Sequence, residues 1–182
     1  SDLVYHKLTG FGSGSFGICV LSNAPPSNDA CSNATLLNFG TACNATTSTS
    51  AYGTLSQSVS ASCATSNPDD DVWFTVTRPA ASTSMNIVVT GSSNYDPAFE
   101  VFTGACGSLT SLGCTNTSTA TSNASESKLY TGLLSATTTY KIRVYHALSG
   151  FGSGTFSICV YSGVAPANVV PCSAPNASAN TG

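Results

Sequence analysis

Between Thr138 and His146 the chain reads TTYKIRVYH. In an extended strand this places Tyr140, Ile142, Val144 and His146 on one face and Lys141, Arg143 and Tyr145 on the other. Period-2 alternation of this kind recurs along the chain, whereas the 3.6-residue periodicity of an amphipathic helix does not. It predicts strands over Val72–Thr77, Met85–Thr90, Ala98–Thr103, Ser127–Thr131, Thr138–His146 and Gly154–Tyr161, with weaker ones over Ala34–Phe39, Ala51–Ser58 and Ser108–Gly113. Turn signals separate them: Asn67-Pro68, Gly91-Ser92, Asp96-Pro97, Gly104 and the glycines of 150–154. Eight or nine short strands spaced by about 10–15 residues predict an all-β antiparallel sandwich. The GFGSG run at 150–154 reads as a hairpin loop between the last two strands, its glycines suiting positive φ.

The same pattern occurs twice. Residues 5–20 (YHKLTGFGSGSFGICV) and 145–160 (YHALSGFGSGTFSICV) are identical at 12 of 16 positions, at an offset of 140. A repeat of about 140 residues is a domain rather than a solenoid turn, so the pattern predicts a tandem array of beads. On that reading residues 1–22 are the terminal hairpin of the preceding repeat, packing away from 30–160. Residues 23–162 are one complete β-sandwich repeat, and 163–182 are a linker and the start of the next. Prolines in Val164–Cys172 and Ala24–Cys31 stiffen the joints. Arrays of near-identical domains supply length, spacing or multivalent contact.

Composition narrows the class. Only 7% of residues are charged, against roughly 25% in an average soluble domain. Ser and Thr number 54 of 182, hydrophobic residues are 41%, and the formal net charge is -3. So apolar and weakly charged a chain does not read as disordered. Lys7, Arg78, Lys128, Lys141 and Arg143 are too few to track phosphates, which excludes a nucleic-acid partner. No apolar run reaches the ~20 residues of a membrane span. Cysteines stand at Cys19, Cys31, Cys43, Cys63, Cys106, Cys114, Cys159 and Cys172. Cys159 repeats Cys19 and Cys172 repeats Cys31, which leaves six per repeat. An even count without C-x-x-C pairs, in a chain with two histidines, argues for disulfides in an extracellular compartment and against zinc. Spacing suggests Cys106 with Cys114, Cys43 with Cys63, and Cys31 with either Cys19 or Cys159, with Cys159–Cys172 following from the first choice.

Candidate chemistry is sparse. Asn33, Asn44, Asn116, Asn123 and Asn176 each begin an Asn-x-Ser/Thr triplet, either plain exposed loop or a glycosylated coat. Asp69, Asp70 and Asp71 are consecutive; Asp96 and Glu100 follow, and Asn28 and Asp29 lie in the leading linker. Three adjacent aspartates repel one another, and a Ca²⁺ ion would relieve them by taking carboxylate and carbonyl oxygens. The candidate ligands are Asn28, Asp29, Asp69, Asp70, Asp71 and Asp96; the plain alternative is a solvated acidic turn. One histidine per repeat (His6 and His146) supplies no Ser-His-Asp arrangement, and Asp96 with Glu100 reads as a turn carboxylate and a surface strand glutamate, so no enzyme is expected. Trp73 is either an exposed platform for carbohydrate stacking or a packed side chain; packing is the simpler expectation.

NDACSNAT, DDDVWFTV, YDPAFEVFTGACGSLTSLGC, the TTYKIRVY strand and the GTFSICV strand follow one another in an order that resembles the pre-peptidase C-terminal type of β-sandwich repeat of large secreted bacterial surface proteins, over about residues 28–161. The resemblance implies a jelly-roll-like sandwich with an extracellular, non-catalytic role. Some of its relatives bind calcium near the start of the domain, where Asn28, Asp29 and Asp69–Asp71 stand here. The expected function is a structural repeat of a filament, stalk or adhesin shaft, stiffened by disulfides and calcium, its partners neighbouring copies of the same repeat. The alternatives are a carbohydrate- or protein-binding adhesion module that contacts surface glycans and is repeated for avidity, or an accessory domain of a secreted hydrolase.

Overall fold

All six strongly alternating segments form strands, their ends moved by no more than two residues. The computed structural model describes residues 17, 23–56, 63, 70–118, 120, 122–132, 137–148 and 154–163. After a 3₁₀ turn at Cys31–Asn33 come β1 (Thr35–Leu36), β2 (Phe39–Gly40), β3 (Thr46–Thr49), β4 (Val72–Thr77), β5 (Ser84–Gly91), β6 (Pro97–Thr103), β7 (Thr110–Thr115), β8 (Ser125–Thr131), β9 (Thr139–His146) and β10 (Thr155–Tyr161). The first sheet has the order β1-β4-β9-β6-β7. The second has β2-β10-β5-β8, with β3 also paired to β10. Pairing is antiparallel except where the two-residue strands β1 and β2 lie parallel to β4 and β10.

The facing sides of the sheets follow the alternation. Phe74, Ile142 and Val144 from the first sheet meet Ile87, Phe156 and Ile158 from the second in one buried cluster. Burying each such side chain contributes about 1.5–3 kcal/mol. At one end Gly154 is pressed against the Tyr95 ring, where a Cβ would come within 2.9 Å of ring carbon. β7 carries a bulge: Val101 pairs with Gly113 but Phe102 with Ser111, which leaves Leu112 as the extra residue beside Gly113 at φ +114°.

Three strand expectations change. Ala34–Phe39 is two strands, β1 in one sheet and β2 in the other. Ala51–Ser58 holds no strand among its described residues; Tyr52 sits at φ 65° in a turn closed by Gly53 N–H to Ser50 C=O, and the strand lies earlier, at β3. The last two strands are not a hairpin. β9 pairs with β4 and β6, while β10 pairs with β5, β3 and β2, because the apolar faces of both strands must meet across the core. The segment proposed as a preceding-repeat hairpin, 1–22, lies outside the described residues apart from Gly17, as do 164–182 and most of the GFGSG loop.

The disulfide pairings also differ from the spacing argument. Cys31 joins Cys106, Cys43 joins Cys159, and Cys63 joins Cys114. Cys106 and Cys114 do not pair, because β7 carries them apart; the four steps from Thr110 to Cys114 alone span about 13 Å. Cys43 lies beside β10 in the second sheet whereas Cys63 lies beside β7 in the first, so these two are also separated. Cys31 sits against the outer side of the first sheet and Cys159 has the outward phase of the second, with the sandwich between them. Cys31 therefore takes neither Cys159 nor Cys19. Cys19 and Cys172 lie outside the described residues.

Phe74 is 1% exposed and meets Phe156 edge-on at 5.9 Å. Phe74→Ala is expected to lower unfolding free energy by about 3–5 kcal/mol, read as a shift of the urea midpoint without change of slope.

Candidate functional site

The incoming segment is held where the first sheet begins. Asn28 C=O accepts Trp73 N–H at 2.8 Å, and Asn28 Nδ2 donates to Trp73 C=O at 3.0 Å, so Asn28 continues the ladder at the start of β4. Asp29 accepts from Thr54 N–H and, at 2.7 Å, from Thr54 Oγ1, which ties the linker to the turn after β3. Ser56 next receives Trp73 Nε1–H at 2.6 Å and donates to Asp71 Oδ1 at 3.0 Å.

Beneath this clamp the outer side of the first sheet is buried around Trp73, Phe102, Arg143 and Tyr145, whereas Thr75 and Lys141 farther along are half-buried. Trp73, Arg143 and Glu100 are abreast in the pairing of β4, β9 and β6. Arg143 is wholly buried. Its Nη2 donates to Glu100 Oε2 at 2.9 Å, its Nη1 lies 3.7 Å from Asp71 Oδ2, and its guanidinium sits 5.2–5.8 Å from the rings of Tyr145, Phe102 and Trp73. Ser111 Oγ donates to the other Glu100 oxygen. Glu100 is therefore an internal counter-ion and not a surface residue. Trp73 is 0% exposed and packs on Phe102 at 5.6 Å, so it offers no platform to a sugar.

Of the five described metal candidates, Asp29 and Asp71 lie close enough for the charge of Asp29 to raise Asp71. Asn28, Asp29 and Asp71 are spent as above, Asp70 accepts from Ser50 Oγ at 3.2 Å, and Asp96 lies towards His146 and Glu126. Among the described residues no three acidic, histidine or cysteine side chains are placed to hold a metal ion; Asp69 lies outside them. Burial pushes the Asp71 carboxyl up to about 6 against the hydrogen bonds from Ser56 and the attraction of Arg143. Burial likewise raises Asp96, helped by Glu126 and opposed by His146.

Sequence reasoning missed Glu126. It is buried, accepts Thr117 N–H and Oγ1–H and Ser118 N–H, and so folds the loop after β7 around one carboxylate. The available signal was its inward phase with Lys128 and Tyr130 on β8. His146 ends its strand as expected, with Nδ1 accepting Leu148 N–H at 3.0 Å and its ring edge-on to Tyr95. Among the triplet asparagines, Asn33, Asn44 and Asn123 are exposed. Asn116 is half-buried and donates to Cys63 C=O, and Asn176 lies outside the described residues.

The second sheet turns a hydroxyl face outward. Thr47, Thr90, Ser92, Thr155 and Ser157 border an open trough of about 230 Å³ across β3, β10 and β5. That is below the roughly 300–1,000 Å³ usual for small-molecule pockets.

A family model described as galactose binding domain-like, and labelled as associated with T9SS secretion, matches residues 27–158. The matched family is not specifically the pre-peptidase C-terminal type but is a similar extracellular kind of β-sandwich. No curated protein matches the chain. No helix among the described residues is long and apolar enough to cross a membrane.

Two outcomes follow from the buried charges. Arg143→Met leaves Glu100 and Asp71 buried without their cation and is expected to cost about 3–5 kcal/mol, whereas Arg143→Met with Glu100→Leu costs less, as denaturation midpoints would report. Asp71 holds its proton more tightly when folded than unfolded. Its contribution to stability is therefore complete below about pH 4 and lost as pH rises through about 6. Asp71→Asn should flatten the fall in urea midpoint across that window; an unchanged slope would show that other groups cause it.

Proposed function

The chain belongs to the galactose-binding-domain-like family, and from that premise we propose that it is a repeated, non-catalytic spacer of a secreted or cell-surface protein, its copies joined in line as a shaft or filament. The observation that carries this reading is where the chain passes in and out of the sandwich. It arrives at Asn28, beside the start of β4. The last described residue is Gly163, whose C=O accepts Ser84 Oγ–H at 2.6 Å at the start of β5. β5 begins at the end where β4 stops, so the two points lie at opposite ends of the sandwich. Combined with the 140-residue duplication, this favours copies strung end to end. The absence of enzymatic activity is part of the proposal. It is supported by the internal duties of Asp71, Glu100, Glu126 and His146, which keep them from a reacting group.

A second reading, a glycan-binding module, is favoured by the family's description and by the hydroxyl-lined trough. Thr155→Arg, at an exposed position lining that trough, would block it, so a glycan-array signal lost in a variant with unchanged melting would support it.

The spacer reading predicts extracellular filaments in electron microscopy with an axial repeat of about 35–45 Å, the diameter expected for a 140-residue domain. Only dispersed or short multidomain particles would remove it.

A further inference from the structure

The three disulfides among the described residues close between Cys31 and Cys159, and their positions relative to Asn28 and Gly163 determine what tension can do. Load applied through neighbouring repeats arrives at Asn28 and leaves at Gly163. The peptide between them is 135 residues long. Cys43–Cys159 bridges 116 of those residues, with only fifteen from Asn28 to Cys43 and four from Cys159 to Gly163 outside the closed ring. We propose that the Cys43–Cys159 disulfide is a covalent load path that caps how far each repeat can extend, so that tension bypasses the sandwich instead of unravelling it.

The strap from Cys31 to Cys43 completes the device. Its first residue is bonded to Cys106 in the body of the sandwich, so peeling from the incoming end stops at Cys31. Farther along, Leu37 N–H donates to Thr75 C=O, β1 lies parallel to β4 and β2 lies parallel to β10. Ser162 N–H donates to Gly40 C=O at 2.9 Å beside the outgoing end. Tension pulls β2 from its N-terminal side and β10 from its C-terminal side. Parallel neighbours loaded in that way share the force across all their hydrogen bonds at once, rather than opening them one after another. Cys63–Cys114 lies wholly within the ring and carries none of the load.

Magnitudes set the scale of the effect. At about 3.5 Å per extended residue, 135 residues would release about 470 Å of chain, whereas the nineteen outside the Cys43–Cys159 ring give at most about 65 Å. With Cys43–Cys159 removed and Cys31–Cys106 kept, the shortest covalent path has three residues before Cys31 and 57 after Cys106, or about 210 Å. The inference rests on the spacer reading for its purpose and not for its mechanism. A chain that forms no filament in microscopy can still show the short path, and a filament can form from extensible repeats.

The test is single-molecule stretching of the full chain, tethered at both ends, with and without dithiothreitol. Oxidised protein is expected to release no more than about 65 Å from the 28–163 segment, and reduction to lengthen the release by about 400 Å. Cys43→Ser/Cys159→Ser should lengthen it by about 145 Å, whereas Cys63→Ser/Cys114→Ser should leave it unchanged. If either variant fails to fold, the comparison of oxidised with reduced wild-type protein still decides. Release of hundreds of ångströms from oxidised wild-type protein would overturn the proposal, as would equal lengthening by both variants.

Discussion

The buried Arg143 guanidinium organises the outer side of the first sheet. Arg143 lies under the outer layer of the first sheet with no exposed surface, and a guanidinium taken from water is costly unless its counter-charges are close and fixed. Glu100 supplies one from the adjacent strand and Asp71 the other from the turn before β4. Asp71 is fixed in turn by Ser56, and Ser56 receives the Trp73 indole N–H. The turn after β3, the incoming linker at Asn28 and the Cys31–Cys106 bridge then close over Trp73 and Phe102. Around these residues the first sheet is in this way buried on both sides. The second sheet keeps a hydroxyl-rich face to solvent.

The low charge content and the disulfides belong to the same solution. Of the four Lys and Arg among the described residues, Arg78 and Arg143 are buried, and the surface is left largely to Ser, Thr and Asn. Such a surface supplies few ion pairs, and exposed ion pairs would add little stability in any case. Bridges closing loops of 51, 75 and 116 residues restrict the unfolded chain far more effectively than short ones would. This is the economy of an extracellular module. Among the described residues the three cross-links all lie between Cys31 and Cys159.

The alternation in the chain was enough for the six long strands, the all-β class and the inward faces of β4, β9 and β10, because side-chain direction in a strand is a local property of period two. The duplication at 140 residues was equally legible, and so was the existence of disulfides. Partnership was not. Which strand β10 joins, which cysteine Cys31 meets, and whether Trp73, Glu100 and Arg143 face water or a second layer all depend on residues 40 to 120 positions away. The pattern of Lys141, Arg143 and Tyr145 looks outward because nothing nearby in sequence covers it; the covering segments, 28–34 and 50–56, arrive from before the sandwich's first long strand. Sequence thus determined local geometry and the repeat, whereas tertiary structure alone decided pairing and burial, since those are settled by the free energy of assembling distant segments at once.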